Sequence, residues 1–273
     1  MNVVTTIAGS DCGGGAGIQA DLKTFQELKV FGTSVITSLT AQNTLGVKDI
    51  YPVDPKFIRK QIEVLMEDFQ IAAIKTGMLY SEEIIEEVCN CLKDLDIPLI
   101  IDPVMIAKGG ANLLHQAAIH SLRMKLLPLS TIITPNIPEA EVLSGVGILT
   151  ADDRKRAAEI MMDYGAKCVV MKGGHMDTGQ LAEDIVYLAN GETFTLQSER
   201  IHTKDTHGTE CTFSAAIAAF LANGYSTRDA VVEAKKFIQM AIKHGLKLGH
   251  GHGPTNHFAY NEYDRTEVTI IES

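Results

Sequence analysis

The feature of this chain that most restricts its fold is a regular alternation of two kinds of segment. Short runs rich in β-branched and apolar residues occupy residues 3–8, 34–40, 72–76, 99–102, 131–134 and 168–172. Several are apolar at both odd and even positions, which a strand tolerates only when both of its faces are covered. Between them lie longer stretches with apolar residues at helical spacing. Residues 55–69 place Ile58, Ile62, Leu65 and Phe69 on one side, and residues 81–92 open with Ser81 and two glutamates, a helix-start signature. Residues 152–164 and 227–244 are amphipathic in the same way. Strand–helix alternation of this kind predicts an α/β fold, a three-layer α/β/α sandwich around a mostly parallel sheet. One departure is expected. Residues 185–188 and 193–196 flank Ala189-Asn190-Gly191-Glu192, which reads as an antiparallel edge hairpin with an Asn-Gly turn. No linker, low-complexity tract or repeat interrupts the 273 residues, so 1–273 reads as a single domain.

Composition removes several function classes. Lys and Arg number 24 against 34 Asp and Glu, a net charge of −10, which disfavours nonspecific binding to nucleic acid or anionic membranes. There is no Trp and aromatics are 6%, too few for a base-stacking platform. The most apolar stretch, residues 215–222, is far short of the roughly 20 residues that span a bilayer. The start of the chain has no basic segment and soon enters a Gly-rich turn, so no signal peptide is expected. Five cysteines are an odd number in a chain this long and read as free thiols of a reducing, cytoplasmic compartment.

Ligands of such sheets bind beyond the carboxyl ends of the strands, so the loops there carry the candidate chemistry. The first runs from Ala8-Gly9-Ser10-Asp11 through Gly13-Gly14-Gly15-Ala16-Gly17 into a helix. Its backbone N–H groups could face a ligand, or the segment is a plain strand–helix turn. It is neither a dinucleotide fingerprint, which would need Gly at Ile18, nor a P-loop, which would need Gly at Leu22. The second is Thr206-His207-Gly208-Thr209-Glu210-Cys211, followed by a compact apolar helix. It reads as an oxyanion or phosphate site whose helix start lowers the Cys211 pKa, or as an ordinary helix entry with a buried Cys. The third is Asn136-Ile137-Pro138-Glu139, whose side chains could orient Mg²⁺-bound water or simply stabilise a helix N-terminus. Asp102 and Lys172-Gly173-Gly174 add polar groups at two further strand ends. Two decoys are discounted: the cluster His244, His250, His252 and His257, set among glycines without a carboxylate, and Cys89-Asn90-Cys91, whose thiols point to different faces of a helix.

Taken in order, these motifs resemble the ribokinase superfamily, and within it the hydroxymethylpyrimidine and phosphomethylpyrimidine kinases. The matching segments also include Thr40-Ala41-Gln42-Asn43-Thr44, Lys75-Thr76-Gly77-Met78-Leu79 and Gly253-Pro254. The resemblance implies a three-layer α/β sandwich, usually a homodimer. It implies two successive phosphoryl transfers from ATP with Mg²⁺, to 4-amino-5-hydroxymethyl-2-methylpyrimidine and then to its monophosphate. Carried over by position, Asp21 and Gln42 should hydrogen-bond the ring nitrogens and amino group, with Ala16, Met78 and Val104 packed around the ring. Lys108 should be a lid residue near phosphate. Asp102, Asn136 and Glu139 should organise Mg²⁺, and Lys172, Gly174, Thr206, His207 and Gly208 should lie near the nucleotide. Cys211 should accept the substrate hydroxyl proton or orient that hydroxyl, with the amides of Gly208, Thr209 and Glu210 stabilising the transferring group.

One position departs from the pattern. The family loop reads Gly-Thr-Gly-Cys, whereas this chain has Glu210 before Cys211. Glu210 either turns into solvent or sets a carboxylate beside the anion site, where it would repel phosphate and raise the Cys211 pKa. Two alternative functions follow: a pyridoxal kinase, alone or with dual specificity, since pyridoxal also carries a 5-hydroxymethyl group, and a binder without turnover, motivated by Glu210.

Overall fold

The computed structural model describes residues 1–105, 116–173, 179–264 and 267–272. The strands are β1 (Val3–Asp11), β2 (Phe31–Asn43), β3 (Gly46–Pro52), β4 (Ile71–Thr76), β5 (Leu99–Ile101), β6 (Ile132–Ile133), β7 (Cys168–Lys172), β8 (Leu181–Leu188), β9 (Thr193–Glu199) and β10 (Thr269–Glu272). They form one sheet in the order β10-β9-β8-β7-β6-β5-β4-β1-β2-β3. The central strands from β7 to β2 are parallel to their neighbours. The predicted hairpin is β8–β9, and β8, β9 and β10 extend one side of the sheet in antiparallel fashion. The opposite edge is also antiparallel, because β3 folds back on β2.

The helices are α1 (Gly17–Glu27), α2 (Pro55–Asp68), α3 (Glu82–Leu92), α4 (Gln116–Ser121), α5 (Ile137–Ser144), α6 (Ala151–Asp163), α7 (Thr209–Ala222), α8 (Thr227–Lys243) and α9 (Ala259–Glu262). Local chemistry sets their starts. Asp54, Ser81 and Ser226 cap α2, α3 and α8, and Thr150 with Asp153 forms a capping box on α6. Strand alternation divides the core in two. Ile7, Val35, Ile74, Ile101 and Val169 pack against α2, α3, α5 and α6 on one face. Val4, Ala73, Ile100 and Val170 pack against α1, α7 and α8 on the other. This is the three-layer arrangement expected. The strand order reverses at β1, which pairs with β2 on one side and β4 on the other. A ligand crevice forms at such a switch point, beyond the carboxyl ends of β1 and β4.

Candidate active site

The Gly-rich loop is organised by Asp11. This buried residue ends β1, and its carboxylate accepts hydrogen bonds from the N–H groups of Gly13 (2.8 Å), Gly15 (2.9 Å) and Ala16 (2.8 Å). The Gly14 N–H donates to the Asp11 carbonyl. Four amides that sequence offered to a ligand are therefore satisfied within the loop, and Ala16 serves as the N-cap of α1. Burial works against the charged form of Asp11. The His207 ring and the N–H groups of Ala16 and Gly13 outweigh it and hold the carboxyl below its ordinary value.

His207 reaches into this network from the loop before α7. Its Nε2 lies 3.0 Å from Asp11 Oδ2 and 3.0 Å from the Gln42 amide, at the carboxyl end of β2. Its backbone N–H donates to the Gly253 carbonyl. His207, expected near the nucleotide, thus has its ring occupied by the Gly-rich loop and Gln42. The C-terminal Gly-His segment discounted above as a metal site is a strap instead: the N–H groups of His250 and Gly251 donate to Thr44 Oγ1. His257 is buried against Thr212 Oγ1 at 3.0 Å, and burial, helped by Lys23, pushes its pKa down to about 4.

Asp21, expected to hydrogen-bond the substrate ring, has partners inside the chain. It is fully buried on α1, and both its oxygens are taken, by Lys75 Nζ at 3.0 and 2.9 Å and by Thr6 Oγ1 at 2.6 Å. Both carboxylate oxygens of Asp21 are therefore engaged within the protein. Lys75, equally buried in β4, stays charged: burial opposes the cation, but Asp21 and Asp102 outweigh it. Sequence reasoning missed Lys75 and Thr6. The available signal was a lysine inside an otherwise apolar strand.

Above this pair stands the start of α7. Gly208 is its N-cap at φ +81°, and a Cβ there would overlap the Gly15 carbonyl oxygen. Thr206 and Thr209 belong to the same turn, joined by a 3.4 Å bond from the Thr209 N–H to the Thr206 carbonyl. Cys211 follows in the first helical turn. The helix start was expected to lower its pKa. Burial instead raises it to about 12, with Asp21 and Asp102 adding to the rise and Lys75 and the Gly17 N–H opposing it. Cys211 is thus held as a thiol, because desolvation of the anion exceeds what a helix terminus returns.

On the far side lies a charged cluster. Asp102 follows β5, fully buried; its Oδ2 accepts from Ser214 Oγ at 3.4 Å, and its Oδ1 has no hydrogen-bond partner among the described residues. Lys172 Nζ, at the end of β7, sits 3.6 Å from Asp102 Oδ1 and 3.7 Å from Glu210 Oε1, also without a hydrogen bond among the described residues. Asn136 and Glu139 form a capping box on α5, and the spare Asn136 Nδ2 donates to Glu210 Oε1 at 3.1 Å. Burial first, and Glu210 second, raise the Glu139 pKa to about 8. Burial and Glu210 also raise that of Asp102, against Lys172 and Lys75. Glu210 therefore does not turn into solvent: it faces this cluster. Its backbone lies outside the left-handed region, so the substitution for glycine is unstrained there. Among the described residues no three His, Cys, Asp or Glu side chains are gathered closely enough to hold a metal ion. The oxygens of Asp102, Glu139 and Asn136 nevertheless suit Mg²⁺, a hard cation that keeps most of its waters and binds through few carboxylates.

Met78 is buried after β4, its methyl group packed toward Gly9, and Val104 is half-buried beyond Asp102. Lys108 and Gly174 lie outside the described residues.

A doubly covered parallel sheet, with a glycine-capped helix start facing an oxygen-rich cluster across a switch point, is the arrangement of ribokinase-like small-molecule kinases. A solved structure of the pyridoxal kinase from Staphylococcus aureus in complex with AMP-PCP and pyridoxal superposes with a TM-score of 0.91 at 37% identity, covering 100% of this chain and 99% of that one. The family model for phosphomethylpyrimidine kinase matches residues 11–256. A hydroxymethylpyrimidine/phosphomethylpyrimidine kinase of Haemophilus influenzae is 57% identical over 261 residues, 94% of this chain and 97% of that protein. One of the same name from Bacillus subtilis is 49% identical over 257 residues, 93% and 94% of the two chains. The chain belongs to the phosphomethylpyrimidine kinase family.

Proposed function

We propose that this chain, acting as a single-domain cytoplasmic homodimer, is an ATP- and Mg²⁺-dependent kinase of thiamine biosynthesis. It phosphorylates the hydroxymethyl group of 4-amino-5-hydroxymethyl-2-methylpyrimidine and then the resulting monophosphate. The observation that carries the reading is that Asp102 stands between two groups at the start of α7, the Cys211 thiol on one side and, on the other, Lys172 at 3.6 Å with Glu139 near it.

Phosphoryl transfer has a loose transition state that asks for positioning and charge stabilisation more than for a strong base. Cys211, held as a thiol, suits a hydrogen bond that orients the substrate hydroxyl. Lys172 keeps its charge, because Glu210 and Asp102 outweigh the cost of its burial, and is the cation for the nucleotide phosphates. The amides at the start of α7 face the transferring group. Asp102, Asn136 and Glu139 would hold Mg²⁺, which when bound neutralises charge on the phosphates. The resemblance assigns Lys108 as a lid residue that neutralises phosphate charge and Gly174 to the neighbourhood of the nucleotide phosphates. Gln42, Met78 and Val104 would line the ring.

A second reading is favoured by the likeness to a pyridoxal kinase: pyridoxal as an additional substrate. A mass-spectrometric turnover assay with Mg-ATP tests both, offering the pyrimidine, its monophosphate and pyridoxal in parallel. Mono- and diphosphate from the pyrimidine are expected. Product from pyridoxal alone would move the assignment to vitamin B6 salvage. Binding without any product would make the chain a non-catalytic binder.

A further inference from the structure

We infer that Asp184, paired with Lys235, is a positioning residue for the nucleotide: it pins the backbone where β7 ends and so holds the Lys172 ammonium at the phosphate position. The nucleotide side of this inference rests on the kinase reading above. On its β6 side, β7 has one ladder pair among the described residues, Ile133 with Val169. Further along, the Lys172 N–H donates to the Pro135 carbonyl at 2.9 Å. On the other side β7 runs antiparallel to β8, and the last pair is Lys172 with Asp184. The chain then leaves the sheet at Gly173. Its N–H is shared between the Glu183 carbonyl at 2.9 Å and Asp184 Oδ1 at 3.1 Å. A Cβ on Gly173 would lie 2.3 Å from the Glu183 carbonyl oxygen, so the backbone passes β8 too closely for any side chain. The second oxygen of Asp184 accepts from Lys235 Nζ, which reaches over from α8, at 2.6 Å. Both side chains of this pair are buried.

Stability alone does not call for such a pair. Desolvation of two buried charges offsets their attraction, and well-packed apolar residues of similar size do as well or better. An apolar side chain at position 184, however, could not accept from the Gly173 N–H. A carboxylate can, and the Lys235 ammonium is what allows a carboxylate to be buried there. With one oxygen on Lys235 and the other on Gly173, the group cannot turn without losing a partner. Lys172 immediately precedes the pinned residue. Its ammonium sits 3.6 Å from Asp102 Oδ1 and 3.7 Å from Glu210 Oε1, on a flexible four-carbon stem. Where that charge stands depends on a fixed backbone beneath it. Asp184 and Lys235 thus act through Gly173 and Lys172, from the layer of α8.

Two variants of the full chain test this, Asp184→Asn and Asp184→Leu, each combined with Lys235→Met so that no lysine is left buried and unpaired. Asn keeps an oxygen for the Gly173 N–H and Leu does not. Amide hydrogen exchange at Gly173, read by NMR without ligand, should be at least about fivefold faster with Leu than with Asn, the order of one hydrogen bond. Equal exchange would overturn the pin, whatever the ligand. Calorimetry then compares binding of AMP-PCP and of the hydroxymethylpyrimidine. The Asn variant should bind AMP-PCP as the unaltered chain does, and the Leu variant at least about fivefold more weakly. Pyrimidine binding should be equal in all three. Undiminished AMP-PCP affinity with Leu, or the same loss with Asn, would refute the positioning role. So would a matching loss of pyrimidine binding, which marks a general loosening of the site. If the Leu variant does not fold, Asp184→Ala with Lys235→Met makes the same comparison. Failure of the unaltered chain to bind AMP-PCP would refute the kinase reading, and the exchange rate alone would then decide for or against the pin.

Discussion

Replacing Glu210 by Gln removes one charge and little else. The amide oxygen still accepts from Asn136 Nδ2, at the 3.1 Å now spanned by the carboxylate. What is lost is the attraction across 3.7 Å to Lys172 Nζ and the repulsion that an arriving phosphate meets. Two unit charges at that distance interact by about 4.5 kcal/mol at an effective dielectric near 20, and by about 1.1 kcal/mol in water. The Glu210 side chain is 24% exposed, so screening brings the net effect to about 1–2 kcal/mol. Release of Lys172 should therefore tighten binding of a non-hydrolysable ATP analogue by about tenfold. Calorimetry with and without Mg²⁺ is the assay, and the gain should be larger without the cation, where nothing else offsets the carboxylate. Loss of an acidic group from the first turn of α7 costs about 0.3–1 kcal/mol of stability, so Tm should fall by a few degrees at most. Unchanged or weaker nucleotide binding in Glu210→Gln would refute the idea that Glu210 competes with phosphate for Lys172.

Three further outcomes follow from the buried groups. Lys75→Met leaves the Asp21 carboxylate buried and unpaired and should cost about 3–5 kcal/mol in denaturant unfolding, while Lys75→Met with Asp21→Leu should cost less. Cys211, a thiol with a pKa of about 12, should be alkylated much more slowly at pH 8 than the exposed Cys12, as peptide mass spectrometry reads; Cys211→Ala should lower turnover at least tenfold with pyrimidine binding nearly intact. Glu139, raised from 4.5 to about 8, binds a proton in the folded state that the unfolded chain has released. Its contribution is therefore complete below about pH 4.5 and is lost as pH rises toward 8. Unfolding free energies between pH 5.5 and 8 should show this decline, and Glu139→Gln should flatten it.

The parallel strands and the β8–β9 hairpin were legible because burial on two faces and an Asn-Gly turn leave marks in sequence. The edge strands were not. In β3, Lys48, Asp49 and Pro52 break any apolar pattern, and β10 is exposed along its whole length. Within the site, the Asn136–Glu139 spacing disclosed a helix N-terminus but not the reciprocal capping box there, and the glycine pattern disclosed the turn into α7. The Asp21–Lys75 pair joins residues 54 apart, and the His207–Asp11 contact joins residues 196 apart. No local pattern encodes such partners. The direction of the Cys211 shift was misjudged for a related reason: a helix start is visible in sequence, but the burial that overrides it is a property of the packed layers.

The two glycines at Gly15 and Gly208 set unequal limits on how this loop diverges. A side chain at Gly208 would run into the Gly15 carbonyl, and one at Gly15 would run into the His207 ring. Neither position can be changed first and repaired by changing the other, so this junction is closed to stepwise substitution. Two residues further on, the backbone has entered an ordinary helical turn that accepts any L-residue. Mutational drift is thus channelled to position 210. There a single replacement leaves the architecture intact and alters only the charge presented to the ligand, which makes it the position from which new behaviour in this loop can arise.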